Sequence, residues 1–153
     1  MALFISNQDV QRLITVAECV PVLDDLFRQE ARGLVENLPR RRIRFEQGGT
    51  TLMGGTVLGS HAYAVRHSTA TLLYHTETGA LDAVIEPGTL AWIRTGAASG
   101  VAAQYMSRPE ASTIGVIGAG RQAQTQIEAI CAVRPVARSE EHTSELQSRG
   151  LIS

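Results

Sequence analysis

The chain has 153 residues, a formal net charge of -1, 44% apolar and 19% charged residues. This composition gives enough apolar material for a packed core and excludes a disordered chain. So small a charge leaves no basic field for nucleic acid or an anionic membrane surface, and no apolar window is long enough to cross a bilayer.

Met1–Asn7 lacks the positive charge and long apolar run of a signal peptide. Ser6 and Asp9 read as a capping pair for a short first helix. Thr15-Val16-Ala17-Glu18 is a stronger signal, a capping box in which each side chain satisfies an orphan N–H. The helix that follows is expected to bury Val16, Cys19, Val20, Leu23, Leu26 and Phe27, to accept Pro21 near its start, and to stop at Gly33. Asp24, Asp25, Arg28 and Glu30 form its solvated face. Cys19 and Cys131 lack metal or redox spacing and read as reduced core residues, which fits a cytoplasmic protein.

Pro39-Arg40-Arg41-Arg42-Ile43-Arg44-Phe45 opens a strand region. Arg42 and Arg44 alternate with Ile43 and Phe45, so the arginines share the face opposite the apolar pair. They are either an exposed charged strand or a fork for a substrate carboxylate. Gly48-Gly49 reads as a hairpin turn into a strand over Thr50–Met53. Further strands are expected at Ala62–His67, Thr69–Tyr74 and Leu81–Ile85, which sets Arg66 and His67 on opposite faces. His61, His67 and His75 have no partner at metal-ligand spacing, and no metal is expected. A long helix then runs from Pro87 through Met106. Its small residues, among them Gly96, Ala97, Gly100 and Ala103, suit close helix packing or the approach of a ligand.

The most informative stretch is Thr113-Ile114-Gly115-Val116-Ile117-Gly118-Ala119-Gly120-Arg121-Gln122-Ala123. It reads as a buried strand, a glycine turn and the first turn of a helix reaching Val133. Gly118 permits the turn, Gly120 leaves the backbone open to a pyrophosphate, and Ala123 lets the helix lie close on its strand. The first helical N–H groups would then face the phosphates.

Taken together, Arg94-Thr95-Gly96-Ala97-Ala98, Arg108-Pro109 and Gly118-Ala119-Gly120-Arg121-Gln122-Ala123 resemble the ornithine cyclodeaminase/mu-crystallin family over roughly residues 1–136. The resemblance implies an α/β chain in three parts. Residues 1–111 would form an N-terminal α+β domain for substrate binding and dimerisation, including its linking helix. Residues 112–137 would start an NAD(P)-binding Rossmann domain with its first strand and helix, truncated there. Residues 138–153 would be a non-native-looking tail. It further implies hydride transfer at an amino-acid α-carbon through an imine, with NAD (NADP possible) as cofactor. The substrate would be a small amino acid or cyclic imine, and the intact parent a homodimer. Family activities include ornithine cyclodeamination, cyclic-imine (ketimine) reduction and alanine dehydrogenation; a mu-crystallin-like member would bind NADP without turnover.

By the same resemblance Arg42 and Arg66 would meet the substrate, Arg41 being the alternative to Arg42. Arg94, Gly118, Gly120, Arg121 and Gln122 would hold the cofactor. Arg66 stands where many members have a lysine. It keeps the charge but is a poor proton donor, which argues against ornithine chemistry. The family's catalytic aspartate would lie further along. Glu140 and Glu141 have the spacing of a ribose-binding acid, yet nothing before them reads as a strand, and Arg138–Ser148 resembles a translated adapter sequence. With one strand and one helix, Val116, Ile117, Ile127 and Ile130 are expected to lack neighbours. The chain by itself is therefore expected to be unstable and inactive.

Overall fold

A computed structural model describes residues 1–141 of the chain. It divides into two compact units, one of Met1–Ile14 with Asp25–Ala91 and one of Thr15–Asp24 with the residues from Trp92 onward.

The first unit is built on a six-stranded sheet. Its strands are β1 (Leu3–Ile5), β2 (Val35–Phe45), β3 (Gly48–Val57), β4 (Ala62–His67), β5 (Ala70–His75) and β6 (Leu81–Ile85). They lie in the order β1-β6-β5-β4-β3-β2. β2 to β6 form an antiparallel meander, and β1 joins β6 in parallel. Two expectations shift. Strand β2 begins at Val35, and its pairing slips between Leu38 and Arg41, where Pro39 has no N–H to give the ladder. The hairpin turn is Glu46-Gln47; Gly48 and Gly49 are already strand, paired with Phe45 and Arg44.

The register makes the two sheet faces explicit. One row crosses all six strands as Phe4, Val84, Leu72, Val65, Gly54 and Leu38. Ile43 and Phe45 lie on this face too, and both remain more than half exposed. On the opposite face Ala83 is buried, and Leu26 of the second helix shares a cavity with Ala62, Ala64 and Leu73. The helix α1 (Asn7–Leu13) starts with the expected Ser6–Asp9 capping box. Asn7 adds a long-range tie: its side-chain oxygen accepts from the Thr89 N–H at 2.8 Å, and its own N–H donates to the Glu86 carboxylate at 2.6 Å.

The helix α2 (Val16–Ala31) opens with the Thr15–Glu18 box and ends where Gly33 takes φ +74°, its N–H donating to Glu30 at 2.9 Å. Val16, Cys19 and Val20 are buried, and burial pushes the Cys19 thiol pKa upward. Phe27, expected in the core, is 43% exposed. Cys131 is exposed as well, so the pairing of both cysteines as core residues does not hold. Helical spacing puts these residues on an apolar stripe but does not say how far the neighbours extend.

The second unit packs the first half of α2 with α3 (Pro87–Met106), β7 (Thr113–Val116) and α4 (Arg121–Val133). Its core is Val16, Cys19, Val20, Ile93, Ala97, Val101 and Ala129. The small residues of α3 serve helix packing. A Cβ on Gly96 would sit 2.7 Å from Thr125 Cβ, and one on Gly100 would sit 3.0 Å from the Ala129 carbonyl and from Val20 Cγ2. Arg134, just past α4, caps the end of α3. Its guanidinium donates to the carbonyls of Gln104 and Ser107 at 2.6 and 3.1 Å and to Ser107 Oγ at 2.8 Å.

One expectation is overturned here. Arg138–Glu141 is a strand, β8, paired in parallel with β7 from Thr113↔Arg138 to Val116↔Glu141. Its polar residues give no apolar signal, but a ladder is made by backbone groups and needs none. The rest of the tail, 142–153, lies outside the described residues.

Candidate functional site

The functional residues fall into two groups, one in each unit. In the second unit, the glycine turn joins β7 to α4. Gly118 takes φ +95°, a conformation L side chains avoid, and it lets the chain reverse between Ile117 and Ala119. Gly120 is the N-cap of α4 in extended conformation, and no side chain caps the helix. The first helical N–H groups therefore have no intrahelical acceptor, apart from Ala123, which donates to Gly120 at 2.9 Å. A Cβ at either Gly118 or Gly120 would meet nothing within 4 Å. The absent side chains leave space that no described residue fills.

That space belongs to an open cleft of about 400 Å³, lined by Gly118, Gly120, Gln122 and Ala123 and floored by Ile114, Val116, Ile127 and Ile130. Of the four residues expected to lack neighbours, Ile117 is 75% exposed, whereas Val116, Ile127 and Ile130 are half-buried. Arg121, the first residue of α4, places its guanidinium 5.9 Å from the centre of the Trp92 ring on α3. Arg94 is exposed two residues further along the same helix. The donor set fits a dinucleotide: amides at a helix head, a backbone bed that no described side chain fills, and the Arg121 guanidinium on the first helical residue. Trp92 escaped the sequence reading, because an aromatic in an apolar helix gives no sign of the cation it will hold.

In the first unit, the register settles which arginines share a face. Arg42 pairs with Thr51, and Arg66 pairs with Met53 across the other edge of β3. Thr51 and Met53 are two residues apart on one strand, so Arg42 and Arg66 lie on the same face. Arg41 pairs with Leu52 and lies on the other. Gly49 helps to place Arg42: a Cβ there would stand 3.2 Å from Arg42 Nε, so the bare glycine lets that side chain lie along the strand. The sequence reading took Gly49 for a turn residue and missed this role. His67 hydrogen-bonds Thr50 Oγ1 at 2.8 Å and Thr69 Oγ1 at 3.1 Å, a local tie at the strand end. Among the described residues no group of three or more His, Cys, Asp or Glu could hold a metal ion, and no helix is long and apolar enough to cross a membrane.

Comparison with known proteins gives these features a context. A family model described as "Ornithine cyclodeaminase/mu-crystallin family" matches residues 2–142. An alanine dehydrogenase from Archaeoglobus fulgidus is 31% identical over 141 residues, covering 84% of this chain and 44% of its own length. The Thermococcus litoralis Delta(1)-pyrroline-2-carboxylate reductase, solved with NADH and L-proline, superposes with a TM-score of 0.86 at 29% identity, over 97% of this chain and 51% of that one. An archaeal alanine dehydrogenase dimer with bound NAD gives 0.82 at 27% identity, over 98% and 51%. The chain thus spans about half the length of the relatives it matches, and its solved neighbours include NAD(H)-bound dehydrogenases and reductases. The chain belongs to the ornithine cyclodeaminase/mu-crystallin family.

Proposed function

We propose that this chain supplies the substrate-facing sheet and the cofactor-entry turn of an NAD-dependent oxidoreductase that acts on a small amino acid through its imine. The observation that carries this reading is the open turn at the head of α4. Gly118 and Gly120 face unfilled space, and no side chain competes for the first amides. In this reading Gly118, Gly120, Arg121 and Gln122 receive the phosphates, and Arg94 adds charge beside them. Arg42 and Arg66 receive the substrate carboxylate, Arg42 by a two-bond fork. When bound, NADH supplies the hydride that, with a proton taken up on nitrogen, turns an imine into an amine and leaves NAD⁺.

Imine reduction is favoured over ornithine cyclodeamination because Arg66 stands where many members have a lysine, and a guanidinium is a poor proton donor. The domain division at residues 111 and 137 belongs to the same proposal. So does a homodimer, supported by the exposed Ile43 and Phe45 on the apolar sheet face. The free thiol of exposed Cys131 suits a reducing, cytoplasmic setting.

The test is direct. The intact protein, given NADH and pyrroline-2-carboxylate, or pyruvate with ammonium, should consume NADH with at least one of them. Tight NADH binding with no consumption on any imine would replace this reading with the non-catalytic, mu-crystallin-like one. Absence of NADH binding would end both.

A further inference from the structure

Arg42 and Arg66 both sit on strands paired with β3, but the two ladders end in different places. β3 stays paired with β2 past Arg42↔Thr51 to Phe45↔Gly48. Its pairing with β4 runs from Thr56↔Tyr63 to Met53↔Arg66 and stops there. Arg66 is thus in the last pair of its ladder, where strands open most easily. Side chains take over from that point. His67 Nε2 meets Thr50 Oγ1 at 2.8 Å, Thr50 Oγ1 meets Ser68 Oγ at 2.8 Å, and Ser68 Oγ accepts the Thr51 N–H at 3.1 Å. Thr69 Oγ1 meets the other ring nitrogen of His67 at 3.1 Å, from within the β4–β5 turn. Thr51 is the residue opposite Arg42, and His67 follows Arg66 in the chain. The four side chains therefore clasp the part of β3 that faces Arg42 to the end of β4 that carries Arg66. Strand alternation puts His67 and Thr50 on the face opposite the two arginines, so the clasp lies behind them.

We propose that His67 is a positioning residue for substrate binding, a role that rests on the reading of Arg42 and Arg66 as the carboxylate-binding pair and deepens it. Through Thr50 and Ser68 it holds the end of β4 against β3 and so sets the spacing of the two arginines. A carboxylate shared by two guanidinium groups responds to that spacing, because each hydrogen bond needs its own distance and angle. His67 and Thr50 are half-buried and Ser68 is exposed, so water competes for these bonds. Loss of the clasp therefore weakens binding severalfold and leaves the fold standing.

Calorimetric titration of the intact protein with pyrrole-2-carboxylate, a ring acid that NADH does not reduce, tests this without turnover. His67→Ala should raise Kd about fivefold. His67→Gln, whose amide can either donate to Thr50 or accept from it, should bring Kd back to within about twofold of the parent. In an Arg66→Gln background, His67→Ala should change Kd by less than about twofold, because the group it positions is gone. Ser68→Ala, at the exposed turn, should show the same dependence on Arg66 and serves if His67→Ala does not fold. An unchanged Kd in both clasp variants overturns the proposal. So does an equal rise with and without Arg66, which would make the clasp a structural tie alone. NADH consumption with pyrroline-2-carboxylate separates this from the reading beneath it. Consumption with Kd unmoved by the clasp variants overturns the positioning role and keeps the oxidoreductase. The expected Kd pattern in a protein that consumes no NADH on any imine keeps the positioning role and overturns the oxidoreductase. Binding that Arg42→Gln and Arg66→Gln leave unchanged overturns the arginine pair and the clasp with it.

Discussion

Two pairs of glycines in the second unit look alike in sequence and have opposite reasons to exist. Gly96 and Gly100 on α3 lack side chains because the protein has already filled the space: Thr125 and Ala129 of α4, and Val20 of α2, stand where a Cβ would go. Gly118 and Gly120 lack side chains where the described residues leave space empty. The first pair holds the fold together. The second pair, in our reading, keeps a place for a ligand. A glycine's role is therefore read from what its missing carbon would strike.

The contrast is breakable by experiment, starting with the strongest expected effect. Gly96→Ala forces a carbon to 2.7 Å from Thr125 Cβ. It should destabilise by about 3 kcal/mol, well beyond the roughly 1 kcal/mol gained in helix propensity, and lower the melting temperature by several degrees. Gly118→Ala should cost about 1–2 kcal/mol, because φ +95° must be held by a residue with a Cβ. Gly120→Ser sharpens the comparison most. It occupies an extended N-cap, where serine suits the helix, so melting should be unchanged or slightly raised. NADH affinity should nevertheless fall at least tenfold. A variant that melts and binds like the parent would remove the cofactor role from Gly120.

Trp92→Leu probes a weaker link. It removes the aromatic face 5.9 Å from the Arg121 guanidinium, and NADH affinity should drop two- to threefold by the roughly 0.5 kcal/mol such an exposed pair contributes. The smallest effect is on pH. Asp9 is held below its ordinary pKa by the Ser6 hydroxyl and then the Ser6 N–H, and Glu18 by the Thr15 N–H and then its hydroxyl. The folded chain favours both carboxylates in their charged form. Their support is therefore full above the ordinary carboxylate range and is lost as pH falls through the lowered values. Acid melts should show a shallow loss of helix that is absent from a variant with both carboxylates removed, Asp9→Asn with Glu18→Gln.

Much of the fold was legible. Both capping boxes, the antiparallel strands from Ala62 to Ile85, the limits of α3 and the strand–turn–helix at Gly118 all follow from local chemistry, since each signal and its structure lie within a few residues. What escaped reading was non-local. Leu3–Ile5 looks like a short apolar run until β6 is there to receive it. Asn7 gives no hint that it will bond to residues 79 and 82 positions away. β8 hides because its ladder partner β7 lies 25 residues earlier. Within the candidate site, the arginines were visible but their common face was not. Choosing Arg42 over Arg41 takes the pairing with β3, which a slip at Pro39 sets.

The parallel seat of β1 beside β6 bears on the order of assembly. The meander from β2 to β6 zips by neighbouring hairpins as it leaves the ribosome. The opening residues must wait until Ile85 emerges, and Asn7 until Thr89 does. β1 is thus made before the meander and settles after it, so a lesion in β1 would disturb the closing step of folding rather than its beginning.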